Sequence, residues 1–389
     1  TYNAPFLPGL SFKAMASYTN TNIMEKSLAK SYKLYVYNEG EDNPYVSIDK
    51  GSPSRIINGN NNLDKTNLQG YITYSDTIFN DHKIDASIIY EYDNYSDRWS
   101  TLSREYDFYT LDQVRYGSED NQKNDGIEDD RLTSSFVGRF NYDFRQKYLL
   151  EFAFRYEGSY RYHPDIRWQF FPILSLGWRI SEEKFAQNIN WLSNLKLRMS
   201  YGKAGSDRGT PHQYIDGYIL GGGLGYAFTE GTWTQGIAMP QLLNKKLTWS
   251  TSTTWDIGCD IGILDNCLSL EFDVFQRDNT GELGTQLLSV PNTAGFNLPQ
   301  MNINHSRNQG FETSLGYNNH IGNFFYGIRG NFTFTRSKWI YYERGDFANS
   351  FDKWRNGINN RWSDFTWGYV VDEQFQNDNE ILYAPIQNG

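Results

Sequence analysis

Oily side chains stand at every second position over long runs of this chain. Phe136, Gly138, Phe140, Tyr142 and Phe144 share one parity, while Ser135, Val137, Arg139, Asn141 and Asp143 hold the other. After Arg145-Gln146-Lys147 the code resumes, with Leu150, Phe152, Phe154 and Tyr156 against Glu151, Ala153, Arg155 and Glu157. Successive side chains of a strand point to opposite faces, so this stretch reads as a hairpin with one greasy and one polar face. The code recurs over 84–92, 195–201, 255–263, 268–274 and 324–334. Weaker versions run over Leu10–Tyr18, Tyr32–Asn38, Leu68–Tyr74, Trp168–Ile180 and Gln309–Tyr317. The expectation is an all-β chain of about twelve antiparallel strands.

Two features set these runs apart from the strands of a soluble sandwich. Many reach ten residues or more, where ordinary strands average about five or six. Their connections also alternate in length. Tight ones are expected near 79–82, 145–147, 264–266 and 318–322, and long ones near 39–65, 97–131, 203–246, 278–300 and 341–362. One shorter connection, Ser181 to Leu192, is expected to make a helical turn. Long polar loops at one end and tight turns at the other are the pattern of an outer-membrane barrel. About ten tilted residues cross the hydrocarbon, and a sheet in lipid must close on itself to leave no edge unpaired. The greasy parity would then face lipid. The other parity carries Arg139, Asp143, Glu151, Arg155, Arg198, Asp256, Asp260, Glu271, Asp273 and Arg329, which need water or partners and are expected to line a wet lumen.

Composition agrees. Aromatics make up 17% of the residues, which fits girdles at the two membrane interfaces and argues against a disordered chain. No apolar run of about 18 residues exists, so a membrane-spanning helix is excluded. The net charge of −10, with no basic cluster, argues against nucleic acid as a partner. Thr1-Tyr-Asn-Ala-Pro lacks the features of a signal peptide and reads as an interior point of a longer chain. Two cysteines, Cys259 and Cys267, fall on opposite parities and suggest no disulfide, and five scattered histidines give no metal-ligand spacing. The rival architecture is a soluble antiparallel sheet, greasy toward a core and polar toward water, as in a β-rich carbohydrate-binding or glycan-hydrolysing protein. A passive porin or adhesin is a third option.

Residues 147–205 carry a resemblance. Lys147-Tyr148-Leu149-Leu150, Phe154-Arg155-Tyr156-Glu157-Gly158-Ser159, 171–183 (FPILSLGWRISEE) and 195–202 (LKLRMSYG) resemble the SusC/RagA-type TonB-dependent outer-membrane transporters. Leu247-Thr248-Trp249 with Asp256-Ile257-Gly258, then Asn308-Gln309-Gly310-Phe311-Glu312, then Gly368 to Asp372 follow in the family's order. The resemblance spans about residues 7–385 and implies a middle-to-late segment of a 22-stranded, plugged barrel. By that reading residues 1–389 are a partial barrel domain, and the plug and final strands lie outside it. It further implies active import of oligosaccharides or peptides, a SusD-like surface lipoprotein, TonB acting through the plug, and placement among outer-membrane lipids.

For ligand contact the expectation falls on rings in the long loops: Trp99, Tyr106 and Tyr109; Tyr214, Tyr218, Tyr226 and Trp233; Trp354 and Trp362. Flat rings stack on sugar faces or peptide side chains and offer polar tips. The same rings also suit loop packing or an outer girdle. The run Gly221 to Gly225 lacks the Lys-Ser/Thr ending of a phosphate cradle and reads as a loop. The acidic stretch Asp120 to Asp130 has Lys123 where a calcium loop needs oxygen, and reads as a solvated loop. Glu151 with Glu157, or Asp256 with Asp260, could be read as paired carboxylates for glycoside hydrolysis. Regular positions in a charged lumen explain them equally, so no catalytic residue, cofactor or metal is assigned and the chain is not expected to be an enzyme.

Overall fold

A computed structural model describes residues 1–368 except 38, 41–43, 52, 107–110, 121, 230, 239–241 and 287–297. The strands are β1 (Tyr2–Asn3), β2 (Leu10–Ala29), β3 (Tyr32–Tyr37), β4 (Tyr45–Lys50), β5 (Ser54–Ile78), β6 (His82–Tyr106), β7 (Lys123–Phe144) and β8 (Tyr148–Ser159). There follow β9 (Trp168–Arg179), β10 (Leu192–Ser206), β11 (Ile219–Thr229), β12 (Thr232–Ala238), β13 (Ser250–Ile263), β14 (Leu268–Thr285), β15 (Gln300–Ile321) and β16 (Phe324–Tyr341). A short helix, α1 (Ser350–Asn356), is capped by the Asn349 side chain. Twelve strands form one antiparallel meander in the order β1-β2-β5-β6-β7-β8-β9-β10-β13-β14-β15-β16. The hairpins β3-β4 and β11-β12 are separate two-stranded sheets inserted in long connections.

Eleven of the twelve alternating runs lie in the meander, and Tyr32–Asn38 does not. Its backbone pairs with β4, from Tyr32 opposite Lys50 to Tyr37 opposite Tyr45. An isolated alternating run cannot reveal which partner its ladder takes. The expected long loops at 39–65, 97–131 and 278–300 are also corrected, the last because 278–285 continues β14 in ladder with β15. Residues 54–65, 97–106 and 123–131 continue β5, β6 and β7 as unbroken ladder, and this includes most of the acidic stretch. The Gly221–Gly225 run likewise lies within β11 rather than a loop. The tight turns are where they were expected, except that β15 runs on to Ile321. Phe79-Asn80, Arg145-Gln146 and Leu264-Asp265-Asn266 adopt the left-handed backbone inside connections of three, three and four residues, which reverses the chain sharply between paired strands.

The greasy rows pair with one another across the sheet. Phe140 stands opposite Phe152, Phe152 opposite Leu174, Leu174 opposite Tyr201 and Tyr201 opposite Trp255. They form no core, since Ile88, Met199, Ile257 and Leu315 stay about half exposed and no second layer covers their face among the described residues. A soluble sandwich buries this parity, so that alternative is set aside. Rings on this face tile laterally, as in Tyr90–Phe136 (5.1 Å), Tyr156–Trp168 (5.0 Å) and Phe154–Phe170 (5.5 Å). Gly138 admits the Phe154 ring, because a Cβ there would lie 2.2 Å from it. On β9, Trp168 and Trp178 share the greasy face ten residues apart, the length of one tilted crossing of about 25 Å of hydrocarbon. Tyr148 Oη donates to Glu183 Oε1 at 2.6 Å and the Trp178 indole to the same oxygen at 3.3 Å. That contact keeps the polar tips of the lower aromatic rank in water.

Candidate functional site: the polar face and its upper recess

Register carries all ten charged residues named from the sequence onto one continuous face. Glu151 pairs with Asn141 and Ser175, and Arg155 with Val137 and Phe171. Arg198 pairs with Gly177 and Gly258, and Gly258 with Asp273. Asp256 and Asp260 pair with Ser200 and Lys196, and Asp260 also with Glu271. Gly316 brings Arg329 to the same side, opposite Ser269. Arg139 and Asp143 complete the set on β7, one residue out of phase with Phe140 and Tyr142.

These charges converge over intervening strands. Arg155 on β8 reaches Glu91 on β6 at 2.8 Å while also holding Glu157 at 2.6 Å. Arg198 on β10 holds Asp260 on β13 at 2.7 Å and Asp273 on β14 at 3.1 Å. Gly258 leaves the room, since a Cβ there would lie 1.9 Å from Asp273 Oδ1. Arg139 pairs with Glu151 at 3.0 Å. Both arginines thus reach over an intervening strand on this one face. Near the tight turns this face forms a recess of about 380 Å³ lined by Lys83, Asp143, Glu151, Lys196, Arg198 and Asp256. Three of the four carboxylates weighed for hydrolysis serve here as arginine partners, Glu151 with Arg139, Glu157 with Arg155 and Asp260 with Arg198, while Asp256 has no salt-bridge partner among the described residues.

At the other end, toward the long connections, the same face carries a second recess of about 450 Å³. Ser206, Arg208, Asn279, Glu282, Trp339 and Tyr342 are among its lining residues. Trp339 and Tyr342 stand 4.8 Å apart, centre to centre. Beside it lies the buried cluster Tyr162, Phe171, Leu247 and Trp249, joined to the recess through Leu283. Burial drives the Tyr162 phenol well above its usual range. Asn302 ties this end down: its Oδ1 accepts from Thr248 N–H (2.8 Å), and its Nδ2 donates to the Thr248 and Gly281 carbonyls (2.7 and 2.9 Å). The Trp249 indole donates to the Arg167 carbonyl at 2.9 Å. Leu247-Thr248-Trp249, a family-like motif in the sequence, is thus the peg that fixes the mouth of the sheet.

The loop rings named from the sequence are scattered. Trp99 lies on β6, opposite Asn61 and Ile127, on the polar parity. Tyr106 is buried and its hydroxyl donates to the Gln113 carbonyl at 3.0 Å, so it packs its own loop, contrary to its expected place in a ligand surface. Tyr109 lies outside the described residues. Tyr214 packs edge-on to His163 and His212. Tyr218, Tyr226 and Trp233 are open to solvent. Trp354 meets Trp367 at 4.4 Å, and Trp362 lies beneath Arg336 and Lys338. Among the described residues none of these named rings stacks on another. Trp339 and Tyr342, which do line a recess, escaped the sequence reading because one ends a strand and the other follows it. Their only signal was that the odd parity of β16 continues upward from Arg329 to Trp339.

The family described as TonB dependent receptor-like, beta-barrel matches residues 8–386. The TonB-dependent receptor SusC of Bacteroides thetaiotaomicron is 34% identical over 184 residues, 46% of this chain and 18% of that protein. The TonB-dependent receptor P39 of Formosa agariphila is 25% identical over 319 residues, 79% of this chain and 28% of that protein. Among solved structures, the RagAB peptide transporter superposes with a TM-score of 0.69 at 22% identity, covering 86% of this chain and 35% of that one. The RagAB peptide importer in its closed-closed state gives 0.71 at 22% identity, covering 87% and 36%. The chain therefore spans about a third or less of the length of these relatives.

Proposed function

This chain belongs to the TonB dependent receptor-like β-barrel family, whose members lie in the outer membrane, and on that premise we propose that it forms one wall of an importer for oligosaccharides or peptides. The observation that carries the reading is the one continuous face that bears the charges, charged near the tight turns and aromatic at the mouth. A ligand entering from the long-connection side first meets Trp339 and Tyr342, whose rings stack on sugar faces or peptide side chains. It then passes paired charges that offer hydrogen bonds in either sense along the wall.

Among the described residues the outer edge of β2 beyond the two-residue β1, and that of β16 below Ser337, carry no strand partner, which supports a larger closed barrel, because lipid tolerates no unpaired strand edge. In this reading further strands and a plug lie outside residues 1–389, TonB acts through that plug, and a SusD-like lipoprotein covers the mouth. The ten wall charges line the lumen. Trp99, Tyr218, Trp233 and Trp354 serve ligand or lid, and no residue is assigned a catalytic role.

Growth of the native host on single glycan or peptide sources, with the intact gene carrying Trp339→Ala and Tyr342→Ala together, tests the reading. Slowed uptake of one nutrient class at unchanged surface abundance supports it and names the class. Uptake of every source at the unmodified rate refutes it.

A further inference from the structure

On the last three strands of the sheet the outward face changes character within two residues. On β14, β15 and β16 the greasy rows end at Val274, Phe311 and Phe334. The next outward row is Gln276, Gln309 and Arg336, and the row above it is Asp278, Arg307 and Lys338. Trp362 folds back against this boundary, bridged to the Lys338 backbone, with the Arg336 guanidinium 4.4 Å and the Lys338 ammonium 5.0 Å from its ring centre. Below it lies an outward groove of about 510 Å³, floored by Phe272, Val274, Phe311 and Phe334 and lipped by Arg336 and Trp362.

Charge marks this boundary as unusual. The whole chain carries −10, yet residues 336–367 hold six cations against four carboxylates. Arg336 is held by Asp364 (2.9 Å) and Arg307 by Asp278 (2.7 Å). Lys338 has no carboxylate within salt-bridge distance among the described residues.

We propose that this groove binds a membrane lipid with a phosphate headgroup. One acyl chain lies along the Phe272–Phe311–Phe334 floor, and the phosphate sits against Lys338 and the outer edge of Arg336. A ring beside two cations, directly above an aliphatic and aromatic slot, matches a molecule that is anionic at one end and apolar below it. Neither a sugar nor a peptide from the aqueous side has that division. The site is on the face opposite the lumen and stands independently of the import reading, needing only the outer-membrane placement. Basic residues at a membrane surface each strengthen anionic-lipid binding several-fold.

The test uses the intact protein, extracted and delipidated in detergent, titrated by native mass spectrometry with phosphatidic acid, with diacylglycerol, and with inorganic phosphate as competitor. The expected result is a phosphatidic acid adduct, little diacylglycerol adduct, and no displacement by millimolar phosphate. Lys338→Gln weakens the adduct about fivefold and Lys338→Gln with Arg336→Gln about tenfold or more, while Lys338→Arg retains it. Heat-modifiable gel migration confirms that each variant is folded, and Lys338→Gln alone decides the matter should the double variant fail to fold. Equal binding of diacylglycerol, displacement by phosphate alone, or unchanged affinity in folded Lys338→Gln overturns the proposal. Nutrient uptake is read separately, so either claim can fail without the other.

Discussion

The lower and upper halves of the same strands obey different rules. In the belt, between Trp178 and Trp168 on β9 and in the rows beside it, parity is strict and the outer rings meet no second layer. In the crest, β5 and β6 continue to 25 residues each, far beyond the ten or so that lipid requires. There Asn58, Asn60 and Asn62 occupy the outward parity, so polar side chains stand on both faces. The belt shows that alternation reports two environments rather than a strand. The crest shows that a ladder persists where the environments become alike. What steadies the crest is local: packing around Trp249 and the hydrogen bonds of Asn302 beside β9, β14 and β15, and on β5 to β7 the contacts of Arg98 with Asp64 and Glu128.

Four measurements on the intact protein, unfolded by urea in detergent micelles or lipid vesicles, separate the halves. Trp249→Ala opens a cavity in the buried cluster it forms with Tyr162, Phe171 and Leu247 and is expected to cost about 3–5 kcal/mol. A cost below about 1 kcal/mol would mean that the crest stands on its ladder alone. Leu174→Arg, midway between the two tryptophans of β9, is expected to cost about 2–4 kcal/mol, while Leu102→Arg on the outward parity of the crest stays within about 0.5 kcal/mol. Equal costs at the two sites would erase the distinction. Asn302→Ala strands the Thr248 N–H and two carbonyls, for about 1–2 kcal/mol, and should loosen hydrogen-exchange protection at 247–249 before any belt strand.

The smallest effect is at the tight-turn end. The Tyr148 hydroxyl, against a weaker burial penalty, and then the Trp178 indole and Lys147 hold the Glu183 carboxyl below its ordinary value of 4.5. A lowered carboxylate stabilises the fold fully above that ordinary value and ceases to do so as pH falls through the lowered one. The difference between the unmodified protein and Glu183→Gln should therefore be present at pH 7 and vanish in acid. A difference that grows in acid would contradict the assignment.

The same contrast explains what could be read without coordinates. Parity placed every one of the ten wall charges on a common face, because a period of two survives through each hairpin once register is kept. Tight turns were legible from spacing, although Arg145-Gln146 carries none of the usual glycine or asparagine. Strand ends were not legible, since 54–65 and 123–131 show no greasy parity to follow and are held by backbone pairing and by polar contacts such as Arg98 with Asp64 and Glu128. Nor could composition tell Tyr106, buried under its own loop, from Tyr218 in open solvent. Ring type is the same in both, and only the fold of the connection decides. The Tyr32–Tyr37 strand shows the limit from the other side: its pattern was sound and its partner was invisible.

Arg155 and Arg198 each strap a strand to its next-but-one neighbour. A ladder by itself lets two neighbours slip past each other by one register step, as slats of a blind do. A strap over the middle slat forbids that slip, because three strands would have to shear together and two carboxylates would lose their counterion. The triplets β6-β7-β8 and β10-β13-β14 are accordingly stiff plates, and shear between them is left to the two ladders of β9.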